Sequence, residues 1–306
     1  MNIYPPFTLL ETPRWKDYEL LDSGDGLKLE RFGPYRFIRP EVHALWKPAL
    51  PPSAWNDVHA VFQPTREESG GHWKFKKKID GKWVLRYPLE RLGSDLQFFV
   101  MTTPGRHLGV FPETAAHWDW MAGLVKPAGR PVRVLNLFGY TGLATLAAAA
   151  AGASVTHVDA SKKSVAWARE NQSLSGLEDR PIRWIVEDAV KFVQREGRRG
   201  VRYDGIILDP PKFGRGPKGE VWEVYKSLPE LLDGCQSILS DSPLFVVLTV
   251  YAVRASAIHL FYALQETMKG RPGSVDAGEL VAREKSAGRL LSQATFARWE
   301  SAARGG

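Results

Sequence analysis

Val132-Arg-Val-Leu-Asn-Leu-Phe-Gly-Tyr-Thr-Gly142 is the stretch whose reading decides the fold. Val132, Val134, Leu135, Leu137 and Phe138 form the near-continuous apolar run of a parallel strand covered on both faces. Gly139 and Gly142 bracket a tight turn, and the alanine-rich segment after it, Leu143 to Ala151, predicts a helix. Thr141 is the expected cap of that helix, and Gly152 ends it where a left-handed residue is wanted. A buried strand that turns through glycine straight into a helix aims the helix's opening N–H groups at whatever lies above the turn. That is where an α/β protein holds a ligand.

What the turn lacks narrows the ligand. A dinucleotide fingerprint needs Gly-x-Gly-x-x-Gly, whereas only Gly139-x-x-Gly142 is present, with bulky Phe138 and Tyr140 beside it. No Gly-Lys-Ser/Thr of a phosphate-cradling loop follows. The next apolar run, Ala153 to Ala160, ends on Asp159, 20 residues beyond Gly139. A carboxylate at that strand end can accept hydrogen bonds from both hydroxyls of a ribose. A nucleoside without a pyrophosphate satisfies these features, and S-adenosylmethionine (SAM) is the expected cofactor.

From 132 onward strands and helices alternate, predicting strands at 132–138, 153–160, 182–187, 203–209, 244–251, 274–284 and 290–299. Helices are predicted over 141–151, 162–173, 189–196, 221–239 and 255–268, and over 115–125 ahead of the first strand. This is the pattern of an α/β, doubly wound, seven-stranded Rossmann-like sheet, its last strand inserted antiparallel through a hairpin at Lys285 to Arg289. Functional groups then belong at the carboxyl ends of the strands, where the chain places Gly139 to Gly142, Asp159, Asp188, Asp209 and Tyr251. Asp188 suits an adenine amino group, and Ala189 leaves room for the ring; capping the next helix is the plainer role for the same aspartate.

Asp209-Pro210-Pro211-Lys212-Phe213 carries the chemistry. Two prolines after a buried strand stiffen the loop and remove two amide donors, leaving carbonyls and the Asp209 carboxylate as acceptors. Phe213 offers a face for a nucleobase. Alignment of an in-line attack is the main demand of methyl transfer, so positioning outweighs acid-base strength.

Taken in order, Asn136 to Gly142, Asp159, Glu187-Asp188-Ala189 and Asp209 to Phe213 resemble the class I SAM-dependent methyltransferases, specifically the bacterial large-subunit rRNA base methyltransferases. The resemblance covers roughly residues 106 to 300. It implies that Phe138, Gly139, Tyr140, Thr141 and Gly142 hold the methionine part, Asp159 with Ala160 and Ser161 the ribose, and Asp188 with Ala189 the adenine. Asp209 to Phe213 are then the catalytic loop that meets the target base, with Asp209 also beside the cofactor. An extended segment ahead of the first strand brings Phe111 and Glu113 to the ligand. Cytosine-C5 members use a cysteine just after the fifth strand, where this chain has Ala252, so no covalent cysteine intermediate is expected.

Composition bounds the rest. The chain has 306 residues, 44% hydrophobic and 11% aromatic, enough for two domains: a β-rich one at 1–105 and a methyltransferase domain at 106–306. In the first, the clearest hairpin runs from His72 to Leu85 around Asp80-Gly81, decorated by lysines that include Lys76 and Lys78. Lysines interleaved with aromatics suit single-stranded RNA, while a half-buried ribbon with a solvated face accounts for the same pattern. A net charge of +7 permits a polyanion without demanding one. Arg215 and Lys218 after the fourth strand and Arg254 after the fifth would face it. The single cysteine, Cys235, excludes a disulfide framework and, with histidines that lack zinc spacing, leaves no metal site expected. Prolines interrupt the N-terminus where a signal peptide would be apolar, and no run spans a bilayer, so a cytoplasmic protein is expected. The expected activity is methylation of an rRNA base nitrogen. Transfer to a protein or small molecule, or SAM and RNA binding without turnover, are the alternatives.

Overall fold

A computed structural model describes residues 7–13, 15–65, 70–251 and 255–302. The first hundred residues hold β1 (Phe7–Glu11), β2 (Tyr18–Gly24), β3 (Leu27–Phe32), β4 (Tyr35–Pro40), a short α1 (Pro52–Asn56), β5 (Ala60–Pro64), β6 (Gly71–Phe75), β7 (Trp83–Leu89) and β8 (Ser94–Val100). Then come α2 (Ala115–Val125), β9 (Arg133–Leu137), α3 (Leu143–Ala150), β10 (Ser154–Asp159), α4 (Lys162–Leu174), β11 (Ile182–Val186), α5 (Ala189–Arg198) and β12 (Gly205–Leu208). The chain continues through β13 (Phe213–Arg215), β14 (Val221–Glu223), α6 (Val224–Ser237), β15 (Phe245–Val250), α7 (Ala257–Thr267), β16 (Gly273–Arg283) and β17 (Leu290–Ser301).

The large sheet runs β1-β16-β17-β15-β12-β9-β10-β11. Its central strands are apolar because helices cover both faces: every residue of β12 and β15 is buried. β17 lies antiparallel between β15 and β16, as the terminal hairpin predicts. The seven expected strands are joined by an eighth, because β1 pairs in parallel with β16. A β-carbon on Gly278 would sit 1.7 Å from the Thr8 carbonyl oxygen, so only glycine lets the two backbones meet there. Thr8 then donates to Asp276 at 2.6 Å, and Glu11 pairs with Arg283.

Three local expectations change. No hairpin forms between His72 and Leu85, because each strand finds a partner elsewhere: β6 pairs with β5 and β7 with β8. Asp80 instead accepts a hydrogen bond from the Tyr35 hydroxyl at 2.8 Å. The helix predicted from 221 starts at 224, since Val221–Glu223 pair with Phe213–Arg215 as a two-stranded ribbon. Thr141 does not cap α3; Gly142 occupies the cap, and the Thr141 hydroxyl donates to the Gly109 carbonyl at 2.7 Å.

The N-terminal strands form a five-stranded sheet, β2-β3-β4-β5-β6, and a two-stranded one, β7-β8. An apolar cluster joins them to the helices of the large sheet: Trp15, Phe37, Trp83 and Phe98 share it with Trp118 of α2 and Leu146 of α3. Trp15 stacks on Trp118 at 6.3 Å, and Tyr87 meets the same indole edge-on at 5.2 Å. A polar fastening adds to this. Buried Asp22 accepts from the amides of Ala49 and Leu50, the Trp55 indole and the hydroxyl of Ser286, which lies in the β16–β17 loop. The N-terminal sheet is thereby fixed beside the carboxyl edge of the large one.

Candidate active site

The turn after β9 is wound through left-handed positions: φ is +59° at Phe138, +48° at Tyr140 and +86° at Gly142. For the two aromatic residues this costs about 1–2 kcal/mol each, so the surroundings must hold them. Phe138 packs on Trp222 at 4.8 Å, and Tyr140 on Phe111 at 5.7 Å and Trp167 at 6.4 Å. A β-carbon on Gly139 would lie 2.4 Å from the His157 ring, and one on Gly142 2.8 Å from Ala168. Beneath the turn runs a buried relay that sequence reasoning missed: the Asn136 amide donates to Thr145 at 2.9 Å, and Thr145 meets His157 Nδ1 at 2.9 Å.

Asp159 closes the second strand end. Its Oδ2 accepts from the Tyr140 amide at 2.9 Å and its Oδ1 from the Ser161 amide at 2.7 Å. Burial raises its pKa, and these two bonds oppose the rise. A carboxylate has about four lone-pair positions, so each oxygen keeps capacity for a ribose hydroxyl. Ala160 follows half-buried, and the Ser161 hydroxyl caps α4 by accepting from the Ser164 amide. Asp188 caps α5 through the Lys191 amide at 3.0 Å and is half-buried beside buried Ala189, so both roles open to it in the sequence are compatible here.

At the end of β12, Asp209 Oδ1 is buried and has no hydrogen-bond partner among the described residues. Burial, and next the Glu113 carboxyl, push its pKa well above the usual range. Buried Pro210 and exposed Pro211 follow, and the Pro211 carbonyl accepts from the Trp222 indole at 2.6 Å. The Lys212 carbonyl accepts from the Val224 amide, so the ribbon β13–β14 braces the loop from both sides. Phe213 stands 54% exposed at the base of that ribbon, which also carries exposed Arg215 and, in its turn, exposed Lys218.

The segment ahead of α2, which turns through a short 3-10 helix at Pro112–Thr114, reaches the same edge. Phe111 packs against His107 at 4.7 Å, Tyr140 at 5.7 Å and Tyr251 at 5.1 Å, while Glu113 is buried and its pKa raised by that burial. The fold therefore gathers Phe111, Glu113, the 138–142 turn, Asp159, Asp188, Asp209 and Phe213 along one edge of the sheet. Lys76 and Lys78 follow the edge strand β6 and are exposed, and no described contact of the turn or the loop includes them. Arg254 and Ala252 lie outside the described residues. Among the described residues no cluster of His, Cys, Asp or Glu could hold a metal ion, and no helix is long and apolar enough to cross a membrane.

A doubly wound sheet with one antiparallel strand, a glycine turn, an acidic second strand end and a proline-stiffened fourth defines a methyltransferase of the Rossmann-like class. The profile of the S-adenosylmethionine-dependent methyltransferase family matches residues 73–267, and the chain belongs to that family. It is similar throughout to the crystal structure of the SAM dependent methyltransferase from Agrobacterium tumefaciens. The TM-score is 0.90 at 49% identity, covering 98% of this chain and 97% of that one. Ribosomal RNA large subunit methyltransferase K of Neisseria meningitidis serogroup B is 28% identical over 233 residues, 71% of this chain and 61% of that protein. Ribosomal RNA large subunit methyltransferase K/L of Shewanella baltica strain OS185 is 38% identical over 198 residues, 63% of this chain and 26% of that protein. The chain thus spans less than two thirds of the length of these curated relatives.

The residues present fit SAM: the turn and the Asp159 carboxylate stand together at the carboxyl ends of β9 and β10, and each Asp159 oxygen, with one amide bond, keeps acceptor capacity. Asp159→Ala is expected to raise the SAM dissociation constant about tenfold to a hundredfold, the loss of one charge-assisted hydrogen bond. Titration calorimetry measures it, and an unchanged affinity would place the ribose elsewhere.

Proposed function

We propose that this methyltransferase modifies a nitrogen of an rRNA base and does so without a covalent cysteine intermediate. The observation that carries the reading is Asp209 Oδ1, a buried acceptor without a partner among the described residues, in the same loop as exposed Phe213. An amino or ring N–H group of a base satisfies the carboxyl, and a base ring covers the phenyl face. The names of the Neisseria and Shewanella relatives support rRNA as the substrate. Bound SAM supplies an electrophilic methyl group on sulfur. The protein's own part is to hold and align: Phe111, Glu113, the 138–142 turn, Asp159 to Ser161, and Asp188 with Ala189 on the cofactor side, and Asp209 to Phe213 on the base side.

A nitrogen acceptor brings its own lone pair, so no enzyme nucleophile is needed. The chain's single cysteine, Cys235, is 1% exposed on α6 among apolar neighbours, and burial pushes its thiol pKa up, away from the reactive thiolate. Lys76, Lys78, Arg215, Lys218 and Arg254 are the proposed RNA contacts, the first two in the proposed N-terminal domain at 1–105, apart from β1, which joins the large sheet, and the others in the proposed methyltransferase domain at 106–306. A cytoplasmic location follows from such a substrate.

The test is transfer of radiolabelled methyl from SAM to RNA, ribosomal particles and protein from a strain lacking the gene. Label is expected in RNase-sensitive material that digests to an N-methylated nucleoside. Label that follows protease sensitivity, or SAM binding with no product, would replace this reading.

A further inference from the structure

β15, buried along its whole length, delivers Tyr251 to the active edge. The ring packs against Phe111 at 5.1 Å and against the apolar group of Leu280, Ala294 and Phe296. Its hydroxyl is buried and has no hydrogen-bond partner among the described residues, which makes it, with Asp209 Oδ1, one of two such oxygens at this edge. Tyr251, Phe111, Glu113, His107 and Arg106 line a cavity of about 60 Å³. That is room for about two water molecules, or for the polar rim of a larger flat molecule.

An unpaired buried polar group costs about 1–3 kcal/mol. Phenylalanine would fill the apolar part of the Tyr251 site without that cost, and no described residue pairs the hydroxyl, which leaves it open to a ligand. Burial, then the Asp209 and Glu113 carboxyls, push the tyrosine's pKa well up. The hydroxyl therefore stays protonated and can donate. Asp209 keeps an acceptor oxygen whether or not it carries a proton. β12 and β15 are paired neighbours, with Leu208 opposite Leu248, so Asp209 and Tyr251 stand at the ends of adjacent strands. A donor and an acceptor so placed are the complement of a particular edge: an amino group next to an unprotonated ring nitrogen, which adenine, cytosine and guanine present and uracil lacks.

We propose that Tyr251 determines acceptor specificity, its hydroxyl donating to the ring nitrogen of an amino-bearing base while Asp209 accepts from the neighbouring amino group. The assignment rests on the base-methyltransferase reading above and adds to it a residue and a class of base. A site built to hydrogen-bond a substrate discriminates strongly, because the wrong base leaves the buried partners unpaired.

Tyr251→Phe in the full chain tests this, with three readouts. The kcat/KM for RNA lacking the modification is expected to fall about tenfold to a hundredfold. The SAM dissociation constant, by calorimetry, is expected to stay within about twofold, since the hydroxyl has no assigned cofactor contact. The thermal midpoint is expected to hold or rise, because an unpaired buried hydroxyl has been removed. Wild-type turnover on RNA with kcat/KM unchanged in the variant overturns the assignment, as does a loss of activity accompanied by a falling midpoint or lost SAM affinity. A wild-type protein that labels no RNA overturns the base-methyltransferase reading itself, and this assignment with it.

Discussion

Asp209→Ala is expected to lower kcat/KM for methyl transfer by about a hundredfold to a thousandfold while leaving the unfolding midpoint unchanged or higher. The two halves have one cause. Asp209 Oδ1 is buried without a partner among the described residues, and burial with the Glu113 carboxyl pushes its pKa well up. Its desolvation is a cost that alanine does not bear. Removing a preorganised group from a dry site costs about 2.7–4 kcal/mol of transition-state stabilisation where that group faces the reacting atoms. Steady-state kinetics and calorimetric melting on the same preparation check both. A variant that loses stability and activity together would make Asp209 a structural residue.

His117→Leu is expected to stabilise the protein by about 1–3 kcal/mol at pH 7.5 and by about 2 kcal/mol more at pH 5. His117 is 3% exposed on α2, packs edge-on against Phe296 at 5.3 Å, and neither ring nitrogen has a hydrogen-bond partner among the described residues. Burial, then Arg298, lowers its pKa from 6.5 to about 3. The folded state therefore refuses a proton that the unfolded chain accepts as soon as the pH falls below 6.5, and stability is lost from there down to about pH 3. At pH 5, about 1.5 units below the unfolded value, the loss is about 2 kcal/mol, and leucine abolishes it. Asp209 and Glu113 act with the opposite sign, since their raised pKa values favour the folded state as the pH falls. The difference between variant and wild type cancels them. Urea midpoints at the two pH values measure it, and a constant gap would show that His117 reaches solvent or a partner.

The central strands were legible because each carries its own signal: β9, β12 and β15 are apolar runs bounded by polar residues, and burial on both faces requires no more than that. Their carboxyl ends, and hence Asp159 and Asp209, follow from topology alone. What was not legible depends on partners distant in sequence. His72 to Leu85 contains two good strands and a good turn, yet β5 and β8 compete for the same edges and win. The ribbon of β13 and β14 is closed by Glu220, which accepts from the Lys218 amide and pairs with Lys191 on α5, a contact 29 residues away. Thr141 looks like a cap locally, but Gly109 offers a carbonyl that the pattern around Thr141 does not reveal. The relay of Asn136, Thr145 and His157 draws one residue from each of β9, α3 and β10, and no spacing marks it. Strand order puts Tyr251 at the carboxyl edge, while the lack of a hydroxyl partner among the described residues is a property of packing only.

The pairing of β1 with β16 sets an order of events during synthesis. Phe7 has to wait for Ala277, and Glu11 for Val281. At roughly 5–20 residues per second the ribosome needs tens of seconds to make the intervening chain. The Rossmann-like strands from β9 to β15 can assemble in that time, but the outer edge of the sheet cannot close. Such distant contacts are slow to form because the loop entropy must be overcome before they contribute. β1 thus settles only after β16 has emerged, and its docking, which needs the bare backbone of Gly278, closes this edge of the sheet late.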